Sequence, residues 1–459
     1  MDSTIVLAIP PIAIVGLIWA WFGRHAIEVR SFFTANKSIG FGVAAVSFPV
    51  CWTWANTLVI GPQKAYEDGL IAVYWFSILN AVALLVFFLC MRRMFRVAGP
   101  DVSSFTGFVR ERFGVEMTWV YTLGILGISV YAVVGQLIGA LVLLNFATGW
   151  SKEAIILGLA PVMLLLASWR GIESSFAADM VKAMLISIVL IVILFVMGGA
   201  GEDTLLKASE GAAHKLTGFW DWNLLRPFVI PLAISWIAGG AVDNQLYQRG
   251  FSLDTRDPST KRALWFGIVP FGVVVLMISS VGLLAPLSTM NPLGGNPLDH
   301  QLAGLVAIST WMPMMGNVFI ITVAAALLAT GASALNASAS AWARDVIEPI
   351  KPAWHVITVS RILMVVITLF SLWLALSGVT LVQLVLFIGS FRGALLFPTV
   401  LGLFSKKGTS SRWFFVGIAG AMIAGPVVAY ISGDNLWGGV TALGISGIAC
   451  VVELIRNRT

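Results

Sequence analysis

Residues 47–70 read SFPVCWTWANTLVIGPQKAYEDGL, and residues 231–250 read PLAISWIAGGAVDNQLYQRG. Each is an apolar run of helix length with helix-breaking residues inside it. Pro49 interrupts the first, and Gly61-Pro62 marks its end. Pro231 opens the second, and Gly239-Gly240 lies in its middle. Proline removes a backbone donor, and glycine weakens a helix. In lipid the freed backbone groups must find partners, so irregular backbone is kept where it lines a polar cavity. Two such breaks at matched places in two halves of a chain point to a solute- and ion-binding site.

The surrounding composition places both runs in a membrane. Apolar residues make up 58% of the 459 residues and charged ones 11%, against roughly 25% charged in a soluble domain. About 20 mostly apolar residues are needed to span a bilayer. Thirteen segments qualify, near 4–22, 39–61, 71–91, 117–147, 152–169, 175–200, 228–247, 261–286, 317–342, 353–377, 379–403, 412–432 and 436–455. The expected fold is therefore an all-α polytopic membrane protein with about 13 transmembrane helices and a single transporter domain over 1–459. The first segment lacks a basic start and a cleavage site, so it reads as a retained extra helix. The quoted runs are the second and seventh segments. Helices 2–6 (39–200) and 7–11 (228–403) then form a five-plus-five repeat, followed by two C-terminal helices over 412–455. The odd offset makes the repeat inverted, and the matched spacing favours it over ordinary kinks. The longest loops, 201–227 and 287–316, are expected to carry short surface helices or a lid.

Basic residues set the expected orientation. With the N-terminus outside and the C-terminus cytoplasmic, 21 of the 28 lysines and arginines fall in inner loops, Arg249 among them, and 5 outside. A plasma membrane (bacterial inner membrane) location follows as the expectation. The remaining two, Lys182 and Arg392, fall inside apolar segments. Charges at that depth are costly and are kept for substrates, ions or partner charges.

Other functional classes lack their parts. His25, His214, His300 and His355 lie at loops or helix ends, with no HExxH and no nucleophile–base pair, so no enzyme is expected. Cys51, Cys90 and Cys450 are too scattered for a disulfide framework or metal cluster. A channel would want a charged ring or repeated pore segment. A transporter-like sensor would want a signalling domain, for which little chain follows the last helix. The net charge of +6 is explained by loop lysines and arginines, not by nucleic-acid binding. The expected partners are a small-molecule solute and membrane lipid, with no nucleic acid and no obligatory protein partner.

The quoted motifs resemble the sodium:solute symporter family. SFPVCWTWANTLVIGPQKAYEDGL is similar to that family's first broken helix, which ends in A-Y-x-x-G-L, and Trp52-Thr53-Trp54-Ala55 followed by Thr57-Leu58 looks most like the urea active transporter subgroup. VDNQLYQR at 242–249 is similar to the subgroup's segment after the second broken helix. ALLATGASALNASASAWARDV resembles the family's small-residue ninth helix, with Asn336 and Asp345 at the expected separation, and GLFSKKGTS at 402–410 resembles the end of helix 11. The resemblance covers about 20 to 450. It implies the leucine-transporter architecture and secondary active transport by alternating access.

The resemblance also implies a sodium site between helices 2 and 9, at Val50, Thr53, Ala326, Ala329 and Thr330. Backbone carbonyls there can come from any residue, but Ala329 has no hydroxyl where the family pattern has serine. One side-chain ligand is missing, which puts sodium coupling in doubt. Asp179 matches a family aspartate on helix 6, and Lys182 lies three residues later on the same face. Two readings stand: a buried Asp179–Lys182 pair, or a Lys182 ammonium that occupies the cation site and replaces sodium, suiting proton coupling or exchange. Arg392, midway along helix 11, reads as an anchor for a carboxylate-bearing solute, as a member of an internal salt bridge to Asp345 or Asp243, or as a side chain that snorkels toward the inner face. Trp52, Trp54, Asn56, Trp75, Asn80, Gln136, Trp236 and Gln383 are expected to line the cavity, and Gly135-x-x-x-Gly139 reads as a close helix contact. The expected function is a solute:cation symporter for a small polar or carboxylate-bearing solute. A sodium-coupled urea-type symporter is the alternative. No organic cofactor is expected; the coupling ion is Na+ or H+.

Overall fold

The computed structural model describes residues 28–99, 102–201, 203–204, 218–287, 299–379, 381–404 and 411–456. The expected first helix, 4–22, and the side chains of Asn56 and Gln383 lie outside the described part. The described chain is helical throughout, with an isolated parallel bridge between Ile39 and Leu253. A short α1 (Val29–Thr34) precedes α2 (Phe41–Trp52). Then follow α3 (Gly61–Val97), α4 (Phe105–Phe113), α5 (Val115–Thr148), α6 (Lys152–Arg170) and α7 (Ile172–Ala200). The second half comprises α8 (Ile230–Val242), α9 (Asn244–Phe251), α10 (Pro258–Phe266), α11 (Ile268–Ser280), α12 (Ala303–Trp311) and α13 (Pro313–Ala341). It closes with α14 (Val356–Leu376), α15 (Leu381–Phe404), α16 (Arg412–Ser432) and α17 (Asn435–Arg456). Each expected segment from the second to the thirteenth meets helix. Ten helices among the described residues are long and apolar enough to cross a membrane, and Phe41–Trp52 falls short because it is one half of a broken helix.

The helices end where their caps dictate. Ser104, Ser151 and Ser411 accept from the backbone N–H groups of Gly107, Ala154 and Phe414 at the starts of α4, α6 and α16. α13 is the hub. It packs against α5, α6, α7 and α14, and its run of alanine, glycine and serine lets those backbones approach closely. α8 lies between α3 and α15, and α15 carries α16 and α17 on its far side.

Both helix breaks differ from the expectation in position. The first falls at 53–54, after Pro49 and before Gly61-Pro62. Helix resumes as a wide turn over Asn56–Ile60 and runs through Gly61-Pro62 to Gly69, whose φ of 75° makes the bend into the next span. Only glycine takes that conformation cheaply. The second break falls at Asp243, while α8 runs helical through Gly239 and Gly240. Those glycines serve packing instead: a Cβ on Gly240 would sit 2.1 Å from the Ala83 carbonyl oxygen. In the long loops, Trp222–Leu224 and Asp299–Leu302 are short helical pieces, and Ala303–Ile308 of α12 is buried, not a surface helix.

Candidate functional site: buried cations at the helix breaks

The first break frees backbone groups, and several of them find partners on side chains. Pro49 has no N–H to give, and four residues later the chain leaves the helix at Thr53, whose ψ is 90°. The Ala55 N–H donates to Gln136 Oε1 at 2.9 Å, so a side chain of α5 replaces the missing turn. Gly139, one turn on from Gln136, lets α5 close on this point: a Cβ there would meet Ala55 at 2.8 Å, in keeping with a close helix contact. Trp54 Nε1 donates to the Cys51 carbonyl at 3.0 Å, and Trp52 Nε1 to Asn80 Oδ1 at 3.2 Å.

The carbonyls turned away from α2 meet Lys182. Its Nζ donates to Val50 O at 2.8 Å, to Thr53 O at 2.5 Å and to Thr330 Oγ1 at 2.5 Å. Three acceptors match the three N–H groups of an ammonium. The Thr330 hydroxyl in turn donates to Ala326 O at 3.0 Å. Lys182 is 1% exposed. Four of the five positions implied for the cation site are thus joined by hydrogen bonds around this ammonium, and the fifth, Ala329, is buried beside Thr330 without an oxygen on its side chain.

Asp179 turns elsewhere. It accepts from Arg249 Nη2 at 2.8 Å and Nε at 3.0 Å, and from Ser47 Oγ at 2.5 Å. Arg249 also donates to Ser333 Oγ at 3.0 Å and the Gln245 carbonyl at 3.3 Å. One of the two readings of Asp179 is not met, and one expectation is corrected. The Asp179 carboxylate is bonded to Arg249, not to Lys182, and Arg249 is fully buried, not an inner-loop charge. The reason is the second break: α9 turns back into the bundle, so a residue six positions past Asp243 reaches the core. Arg249, Ser47 and Ser333 tie α9, α2, α7 and α13 together through one carboxylate, and the sequence reading missed them. The one available cue was that Arg249 follows the break too closely to have left the membrane.

The third buried cation, Arg392, is 2% exposed. Its guanidinium carbon lies 5.4 Å from the centre of the Trp54 ring and 5.8 Å from those of Trp52 and Tyr131. Such contacts contribute about 2 kcal/mol or more where water is excluded. Nη1 reaches the Ser235 carbonyl and hydroxyl only at 3.4 and 3.5 Å. Arg392 forms no ion pair with Asp345, which instead accepts from Ser104 Oγ at 2.8 Å and from Thr106. Trp236 is buried and packs edge-on against Phe76. Trp75 is placed apart: its indole donates to the Phe219 carbonyl at 2.9 Å and stacks on Phe219. Tyr131 has a second role, since it also lines an apolar cavity of about 650 Å³ with Leu126, Val130, Ile367 and Phe391. That cavity is greasy and holds none of the charged groups.

Comparison with known proteins agrees with this architecture. Among solved structures, a Na+-coupled sialic acid symporter in a substrate-bound outward-open state superposes with a TM-score of 0.77 at 19% identity, covering 98% of this chain and 97% of that one. A nucleobase-cation-symport-1 family transporter in a closed conformation gives 0.58 at 15% identity, covering 93% and 94%. At these identities the likeness concerns the fold alone. In sequence, the urea active transporter of Saccharomyces cerevisiae is 22% identical over 416 residues, 84% of this chain and 56% of that protein. Probable urea active transporter 1 of Schizosaccharomyces pombe is 24% identical over 283 residues, 58% of this chain and 42% of that protein. The chain spans about half the length of these relatives. The model of the sodium:solute symporter family matches residues 32–420, some five-sixths of the chain, and with the two broken helices in place the chain belongs to the sodium:solute symporter family.

Proposed function

We propose that the chain is a secondary active transporter that moves a small polar or carboxylate-bearing solute by alternating access, with the Lys182 ammonium standing where a sodium ion would bind. The single observation behind this reading is the set of three oxygens around Nζ, from Val50, Thr53 and Thr330. A fixed ammonium there supplies the positive charge that holds the two halves of the broken helix against α13. Coupling then passes through the Lys182 proton, or the protein exchanges solutes without an ion. Arg392, framed by Trp52 and Trp54, is the solute's anchor, with Asn80, Gln136 and Trp236 shaping the wall; Asn56, Gln383 and Trp75 belong to the same proposed set. The repeats are 39–200 and 228–403, and the N-terminus lies outside a plasma membrane. Moving Arg249 out of the inner-loop tally leaves the charge asymmetry strong.

A second reading is a urea-type symporter. Its support is the relatives' names, among them the urea-proton symporter of Oryza sativa, 23% identical over 435 residues and covering 86% of this chain and 59% of that protein. Uptake into proteoliposomes under separately imposed sodium and proton gradients tests both. Uptake indifferent to sodium and lost in Lys182→Ala supports the first reading. Sodium-driven uptake by the wild type would sink it, and urea as the transported solute would select the second.

A further inference from the structure

Asp243 stands at the second break, and its two carboxylate oxygens are used unequally. Oδ1 caps α9, accepting from the backbone N–H groups of Gln245 at 2.9 Å and Leu246 at 3.1 Å. Oδ2 is buried and has no hydrogen-bond partner among the described residues. Arg392 has the complementary deficit: its buried Nε has no partner either. The two side chains are 1% and 2% exposed and do not bond to each other.

They nonetheless share one stripe. Ser235, Gly239 and Asp243 are spaced by four, so they stack on one face of α8 and its cap. Ser235 lies 3.4 Å from Arg392 Nη1 through its carbonyl, and a Cβ on Gly239 would lie 3.1 Å from the guanidinium carbon. Asp243 is the next turn along. A buried donor and a buried acceptor of opposite charge, each left unmade, are both unfavourable. A solute with an acceptor at one end and a donor at the other satisfies both at once. The flat ring faces of Trp52 and Trp54 beside the guanidinium suit a small planar group.

We propose that the gap between Arg392 and Asp243 is the polar subsite of the transported solute, and that it takes a small net-neutral solute with a carbonyl or carboxylate acceptor for Arg392 and N–H donors for Asp243. Amides and amino-acid zwitterions belong to this class; simple monoanions do not. The Asp243 carboxylate already balances the guanidinium, so a monocarboxylate would leave Oδ2 unpaired and set a like charge beside it. The inference rests on the reading of the chain as a solute transporter and narrows its substrate.

The test uses the full chain in detergent, with ligand binding read by calorimetry and thermal stabilisation. The probes are propionamide against propionate, which are nearly the same size, with urea and glycine added. The wild type should bind at least one donor-bearing neutral solute, and propionate at least about tenfold more weakly than propionamide, because unpaired buried polar groups discriminate strongly. Asp243→Asn keeps an oxygen for the α9 cap but turns the Oδ2 position into a donor. It should weaken the neutral solute by about tenfold or more and improve propionate. The wild-type preference is read without any variant, so a misfolded Asp243→Asn leaves the test intact. Propionate bound by the wild type as well as propionamide overturns the proposal, as does a folded Asp243→Asn with unchanged selectivity. Uptake of a monocarboxylate into proteoliposomes would overturn it while leaving the transport reading standing. If no solute of any class binds or moves, the transport reading falls and takes this inference with it.

Discussion

If Lys182 fills the cation site, replacing it with alanine and Ala329 with serine should give a protein that responds to sodium where the wild type does not. The ammonium bonds to three buried oxygens. A buried acceptor deprived of its donor costs about 1–3 kcal/mol. Two of the three keep other partners: Val50 O still receives the Thr53 N–H at 3.1 Å, and Thr330 still bonds to Ala326 O. The loss from Lys182→Ala alone is therefore about 3–4 kcal/mol, the lower end of the roughly 3–9 kcal/mol that three fully orphaned groups would cost. The vacated oxygens, with the new serine hydroxyl, form the all-oxygen cluster a hard cation prefers. Sodium at a hundred times its dissociation constant would return about 2.7 kcal/mol, most of what was lost. Thermal unfolding of the purified protein, followed by tryptophan fluorescence in sodium chloride against choline chloride at equal ionic strength, reads this out. The double variant should melt higher in sodium, and the wild type should melt alike in both salts. A wild type stabilised by sodium as much as the double variant would refute the reasoning, since one site cannot hold both the ammonium and the ion.

Three further outcomes are expected. Arg249→Met should destabilise the protein by about 3–5 kcal/mol by leaving Asp179 charged and unpaired, and adding Asp179→Asn should recover part of that loss; chemical denaturation of both variants measures it, and strictly additive effects would argue against the pair. Gln136→Leu should cost about 1–3 kcal/mol and depress uptake, because the Ala55 N–H loses its acceptor; uptake and melting curves check it. Gly240→Ala should abolish folded protein on gel filtration, because its Cβ would overlap the Ala83 carbonyl, whereas Gly158→Ala, with nothing within 4 Å, should be neutral or stabilising by about 0.5–1 kcal/mol.

Much of the architecture is legible in the chain because lipid imposes it. A segment that crosses hydrocarbon must be apolar for about 20 residues and must satisfy its own backbone, so each expected helix from 39–61 to 436–455 meets one in the structure. The same rule exposed Lys182 and Arg392, since a charge inside such a segment stands out by position alone. It also exposed the two interrupted helices, although not their points of rupture. Pro49 and Gly239-Gly240 look like breakers, yet the helix ends at Thr53 and Asp243. There the decision belongs to partners from other helices: Gln136 takes the Ala55 N–H, and Ala83 takes the space that Gly240 leaves.

Pairing was a tertiary matter for the same reason. Asp179 and Lys182 share a helical face, and sequence spacing alone would let them bond. The structure separates them because Arg249 arrives from α9 and competes for the carboxylate with a two-nitrogen fork, while the carbonyls freed at 50–53 offer the ammonium three oxygens. The sequence by itself determined the membrane class, the helix order and the presence of buried charge, all of which follow from local composition and the solvent. Which charge meets which oxygen was settled by tertiary packing alone, because it depends on the approach of segments 70 to 148 residues apart.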